Sequence, residues 1–204
     1  RFALSYSYPH RFWLLTGDRV RKVSIDDGDT VHLMFTAWDA ETDTVIPASS
    51  ATVTATKDGE QVLSRRSLWA MLSQNMGVHF GDNVALDGAG TYEVTVAFGP
   101  VGTRRAGSLA GALSDRAEPT FSMSFNRDRL SDVSVRRFDD RKGQRDALDP
   151  MGGEMMPSSQ LPATDAMPGE VRGQATTGDA RFVVTTLPAP AGVDGEGSYL
   201  AVSP

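Results

Sequence analysis

Two short stretches of this 204-residue chain carry side chains able to hold a soft cation. In Val31-His32-Leu33-Met34 a histidine and a methionine stand two apart. On a β-strand, where side chains alternate between faces, that spacing points both to one side. The second stretch, Ser67 to Leu86 (SLWAMLSQNMGVHFGDNVAL), sets Met71, Met76 and His79 among Trp69, Phe80, Gly77 and Gly81. Imidazole and thioether are the intermediate and soft donors that copper, iron and zinc accept. His32, Met34, Met71 and His79 therefore form a candidate metal-ligand set. Each also has a plain structural reading. Met34 fits an irregular core gap, His32 suits a hydrogen-bonded histidine on an apolar strand, and His79 beside glycines can cap a turn. His10, in Tyr8-Pro9-His10-Arg11-Phe12-Trp13, precedes an aromatic pair and reads first as packing or a cation–π contact.

Other chemistries have little to draw on. There is no cysteine, which removes disulfides, thiolate nucleophiles, iron–sulfur clusters and Cys-held zinc. Imidazole chemistry is limited to three histidines. No serine sits in a Gly-x-Ser-x-Gly elbow, and no glycine-rich loop of phosphate-cradling type is present. Asp26-Asp27-Gly28-Asp29 lacks the remaining spacing of a calcium loop and reads as a turn. The chain is thus read as a non-enzyme. A formal charge of −6 argues against the basic surface that nucleic acid requires. Lysine occurs only at Lys22, Lys57 and Lys142, with arginine supplying the other positives. That balance fits adaptation to high salt, and GC-rich codon usage produces the same pattern.

The elements that would position these donors are strands. Alternating or β-branched runs occur at Phe2 to Tyr8, Val31 to Trp38, Ala51 to Thr56, Gln61 to Arg65, Thr91 to Phe98 and Thr120 to Phe125. Lys57-Asp58-Gly59-Glu60 is a hairpin signal between two of them. Strands every ten to fifteen residues, without helical periodicity between them, predict an all-β, antiparallel β-sandwich over residues 1–128. Ser67 to Leu86 keeps neither period and is read as an unusually apolar loop. Residues 129–180 are charge-dense and then rich in Pro, Gly and Met, and predict a linker or arm. Met151, Met155, Met156 and Met167 there resemble the methionine runs of copper-handling proteins, and linker composition accounts for them equally. Residues 181–204 resume alternation, as the start of a truncated second domain or as added strands. No stretch reaches the ~20 apolar residues of a membrane helix. No leader is visible, so an export signal is expected to have been removed or left out.

Residues 67–98, with Met71, Gly77, His79, Phe80, Gly81, Asn83, Gly90, Thr91, Tyr92 and Pro100, resemble the signature of the extracytoplasmic Fe2+-transport protein family. His32-Leu33 resembles an earlier element of the same family. The resemblance covers roughly residues 2–128. It implies an immunoglobulin-like sandwich, often dimeric, that binds copper or iron outside the cell and passes the ion to an iron permease. Any membrane attachment would come through a lipoprotein-type anchor outside this chain. His32, Met71 and His79 match the family's ligand positions, and Met34 stands where the best-known members are acidic. A further family histidine falls in Gly102-Thr103-Arg104-Arg105, where there is none, and guanidinium has no lone pair to offer. His10, Met76, Arg104 and Arg105 are placed around the expected site, as its surroundings or as alternatives to its ligands. Three outcomes follow. The site is completed by Met34 or water, it is completed by another chain, or the protein is a structural or interaction sandwich that has lost its ion. YPHRFW and the paired Met and His suggest a salt-adapted, archaeal-type member.

Overall fold

The computed structural model describes residues 1–41, 43–46, 49–73, 77–103, 105, 109–130, 163–177, 180–189 and 197–203. The chain divides into two units, one of residues 1–101 with 115–158 and one of 102–114 with 159–204.

The first unit is built from β1 (Phe2–Ser7), β2 (Phe12–Thr16), β3 (Arg19–Val23), β4 (Val31–Ala37), β5 (Ala51–Lys57), β6 (Glu60–Ser73), β7 (Gly77–Val84), β8 (Gly90–Phe98) and β9 (Thr120–Phe125), closed by a single-turn helix at Arg127–Leu130. Seven of the strands hydrogen-bond in the order β1-β4-β7-β6-β5-β8-β9, and every pairing is antiparallel. The long strand β6 makes this a sandwich. Its first part pairs with β5 as far as Leu68, and its last part, from Trp69, pairs with β7. It thus belongs to two half-sheets that fold face to face. Phe35 of β4 and Phe80 of β7 each bring their rings to 5.6 Å from Phe98 of β8, and Tyr6 of β1 meets Phe125 of β9 at 5.9 Å.

Sequence alternation explains which face each strand buries. On β8, Tyr92, Val94, Val96 and Phe98 are buried while Thr91 and Glu93 are exposed. Each such side chain contributes roughly 1.5–3 kcal/mol through apolar burial. The hairpin signal at Asp58-Gly59 is realised with φ of 53° and 81°, the two left-handed positions that a tight turn between twisted strands demands.

Three sequence readings change. Ser67 to Leu86 is not a loop: β6 runs on to Ser73 and β7 begins at Gly77. Periodicity failed there because β7 is buried on both faces, so polar and apolar residues do not mark inside and outside. The β2–β3 hairpin, turning at Gly17 (φ 62°), was missed because Trp13, Leu15 and Val20 stay exposed while basic residues crowd β3. In the second unit, β10 (Glu170–Thr177) lies within the stretch read as linker and pairs with β11 (Ala180–Pro188), which pairs with β12 (Ser198–Ser203). Strand β10 is exposed along its whole length, so no alternation betrays it. Met151, Met155 and Met156 lie outside the described residues; Met167 is buried in the second unit. No described helix is long and apolar enough to cross a membrane.

Candidate metal centre

Strand β4 is buried at all seven positions, yet its two faces differ in kind. Val31, Leu33 and Phe35 look into the sandwich. His32 and Met34 look outward, as their spacing requires. The register then builds a site across three strands. His32 lies opposite Asn83 and Met34 opposite Gly81 on β7, Gly81 lies opposite Trp69 on β6, and His79 lies opposite Met71. Directly paired residues share a face, so His32, Met34, Met71, His79, Gly81 and Asn83 all occupy the outer one. Ser5 and Ser7 of β1 complete it beside Met34 and His32 with little bulk.

Gly81 is the floor of this arrangement. A Cβ added there would lie 2.8 Å from His32 Nε2, 3.0 Å from the Leu33 carbonyl oxygen and 3.3 Å from Met71 Sδ. The backbone φ is not in the left-handed region, so glycine is required for space. A ring nitrogen and a thioether sulfur thus flank one small volume that only the absence of a side chain keeps open.

The tautomers follow from the hydrogen bonds. Asn83 Nδ2 donates to the His10 carbonyl at 2.9 Å, and Asn83 Oδ1 accepts from the His10 amide at 3.2 Å. This reciprocal pair fixes the amide's orientation. Its Oδ1 also lies 2.9 Å from His32 Nδ1, and since that oxygen can only accept, Nδ1 carries the proton. His32 Nε2 is left with a lone pair, fully buried and without a hydrogen-bond partner. His79 Nδ1 is likewise 3.0 Å from the Gly77 carbonyl, which leaves its Nε2 as the lone-pair atom. Metal-binding histidines are held this way, with one nitrogen tied to an oxygen acceptor and the other presented to the ion.

Electrostatics keep the rings neutral. Burial is the main cause lowering His32 to about 4. The Asn83 hydrogen bond opposes the shift, and the nearby His10 and His79 add to it. His79 is lowered chiefly by burial, against the Gly77 hydrogen bond and with help from His10. Neutral imidazole is the form that ligates, so proton competition at these two rings is weak near neutral pH.

The four donors expected from the sequence therefore share one face. His10 arrives from outside the sheet: its ring centroid is 4.0 Å from that of His32, and Phe12 also abuts His32 at 5.9 Å. Met76 and Arg104 lie outside the described residues. Arg105 donates from Nη1 to the Leu113 carbonyl at 3.1 Å within the second unit. Sequence reasoning gave Gly81 and Asn83 no role of their own. The signal was the alternation 79, 81, 83, which becomes visible once the segment is read as a strand. Among the described residues, no three His, Asp or Glu side chains form a group able to hold a metal, so the donor set depends on sulfur.

Residues 31–110 match the sequence profile of the Fe2+ transport protein family. The resemblance read from residues 67–98 and from His32-Leu33 is met by that match. Among solved structures, the chain is similar to FetP of uropathogenic Escherichia coli strain F11, with 18% identity over 61% of this chain and 87% of that one and a TM-score of 0.46. It is also similar to a copper-bound variant of FetP, with 17% identity over 61% and 83% of the two chains and a TM-score of 0.45. A copper-bound variant of Campylobacter jejuni P19 gives 17% identity over 61% and 88% and a TM-score of 0.44. No curated protein matches the chain.

Proposed function

With the Fe2+ transport match over residues 31–110 as premise, we propose that this chain is an extracytoplasmic, non-catalytic carrier of copper or iron. It would hold the ion through His32, His79 and Met71, with Met34 beside them, and release it to an iron permease. One observation supports this reading above the others: the buried Nε2 of His32 has no hydrogen-bond partner and is aimed, with Met71 Sδ, over Gly81. An unpartnered buried polar atom costs about 1–3 kcal/mol in a protein that gains nothing from it. A ligand that accepts its lone pair removes that cost.

The chemistry of the donors suits transfer. Thioether and neutral imidazole favour a soft ion such as Cu(I), and exchanging the family's acidic position for Met34 pushes the same way. Without a closed thiolate cage, the ion can be passed on. The second reading, a sandwich that has kept the frame and lost the ion, draws on the lack of a three-member His, Asp or Glu group among the described residues. Titration of the apo protein with Cu(I) against a chromogenic chelator separates the two. The carrier reading expects one ion per chain, with His79→Ala weaker by at least tenfold. Equal affinity of mutant and parent, or no uptake by either, supports the second.

A further inference from the structure

We propose that His10 is a third imidazole ligand of this centre, carried over it by the segment from Tyr8 to Phe12. It would supply within one chain the nitrogen donor that residues 102–105 lack. The inference rests on the reading of the outer β4–β7 face as a metal centre and adds a residue to it.

Three observations carry the proposal. His10 Nδ1 lies 3.1 Å from the Tyr8 carbonyl, an acceptor only, so the proton is on Nδ1 and Nε2 holds the lone pair. All three histidines of the chain are thus set in the same tautomer, each by an oxygen held by the protein. Next, the His10 backbone is clamped at both its N–H and its C=O by Asn83, whose Oδ1 also orients His32. One side chain therefore fixes the two rings relative to each other, across 73 residues of sequence. Finally, the two ring centroids stand 4.0 Å apart; the three imidazoles do not yet stand as a metal-holding group, so the exposed His10 ring has to turn toward Nε2 of His32 as the ion enters.

Exposure assigns His10 a distinct place in the centre. His32 and His79 are buried, whereas His10 is exposed. It is the imidazole that an incoming ion meets first, and Asn83 links that encounter to the buried nitrogen of His32.

The test uses the whole apo chain, with Cu(I) competition for affinity and Cu(II) electron paramagnetic resonance for nitrogen ligation. His10→Ala removes the ring, and His10→Phe keeps an aromatic ring against His32 without a lone pair. Because position 10 is exposed, neither change burdens folding. The proposal expects both variants to bind Cu(I) about 10–100-fold more weakly, in the range that disturbed metal sites lose. Their Cu(II) spectra should show one nitrogen fewer than the parent's. Parental affinity and an unchanged nitrogen count in His10→Phe would overturn the proposal and leave the His32, Met71 and His79 centre intact. A folded parent that takes up no copper would overturn the reading beneath it as well.

Discussion

The two faces of strand β4 are equally buried and built on opposite principles. Inward, Phe35 meets Phe2, Phe98 and Phe121 with ring centroids 5.6–6.3 Å apart, and no polar group needs a partner there. Outward, His32 is just as closed off, yet one of its two nitrogens is left without a hydrogen bond. The inner face is complete as it stands. The outer face leaves one buried lone pair without a hydrogen-bond partner. Burial alone therefore does not distinguish the two faces of this strand; hydrogen-bond satisfaction does.

The largest expected effect breaks the inner face. Phe35→Ala should destabilise the protein by about 3–5 kcal/mol, as truncation of a buried aromatic does, measured by urea unfolding. The same variant should keep the parent's copper stoichiometry wherever it remains folded. Loss of binding without loss of stability would show that the two faces are not separable.

Acid should act on the outer face. His32 is lowered from 6.5 to about 4 when folded, so between those values the unfolded chain binds the proton that the folded one refuses. The contribution is fully present above about pH 6.5 and is lost as pH falls through about 4; this shift corresponds to about 3 kcal/mol. His32→Leu, which cannot titrate, should flatten that part of the stability curve of the apo protein. Coincident curves for mutant and parent would place the acid sensitivity elsewhere.

Gly81→Ala sharpens the comparison further, because it fills the space above the floor. With His32 Nε2 at 2.8 Å and Met71 Sδ at 3.3 Å from the new carbon, copper affinity should fall by about 10–100-fold. The Leu33 carbonyl at 3.0 Å adds a smaller stability cost. Undiminished binding would mean that the ion does not sit over this glycine.

Much of this was legible in the residues. Alternation placed β4, β5, β8 and β9 almost to the residue, and the Asp58-Gly59 turn declared its hairpin. His32 and Met34 followed from period two alone. Two things were hidden, for physical reasons. Strand β7 carries His79, Asp82 and Asn83 buried among apolar neighbours, so its polarity no longer reports its orientation, and a strand was read as a loop. His10 was set near the site by its residue type, but the contact that brings it against His32 spans 73 residues, and only the clamp on Asn83 makes it visible. No periodicity encodes such a contact.

X-ray absorption at the copper edge of the loaded chain asks most directly whether the outer face is a soft-ion site. The account predicts imidazole nitrogen scatterers together with at least one sulfur, and loss of sulfur intensity in Met71→Leu. A shell of nitrogen and oxygen alone, unchanged by that substitution, would contradict it.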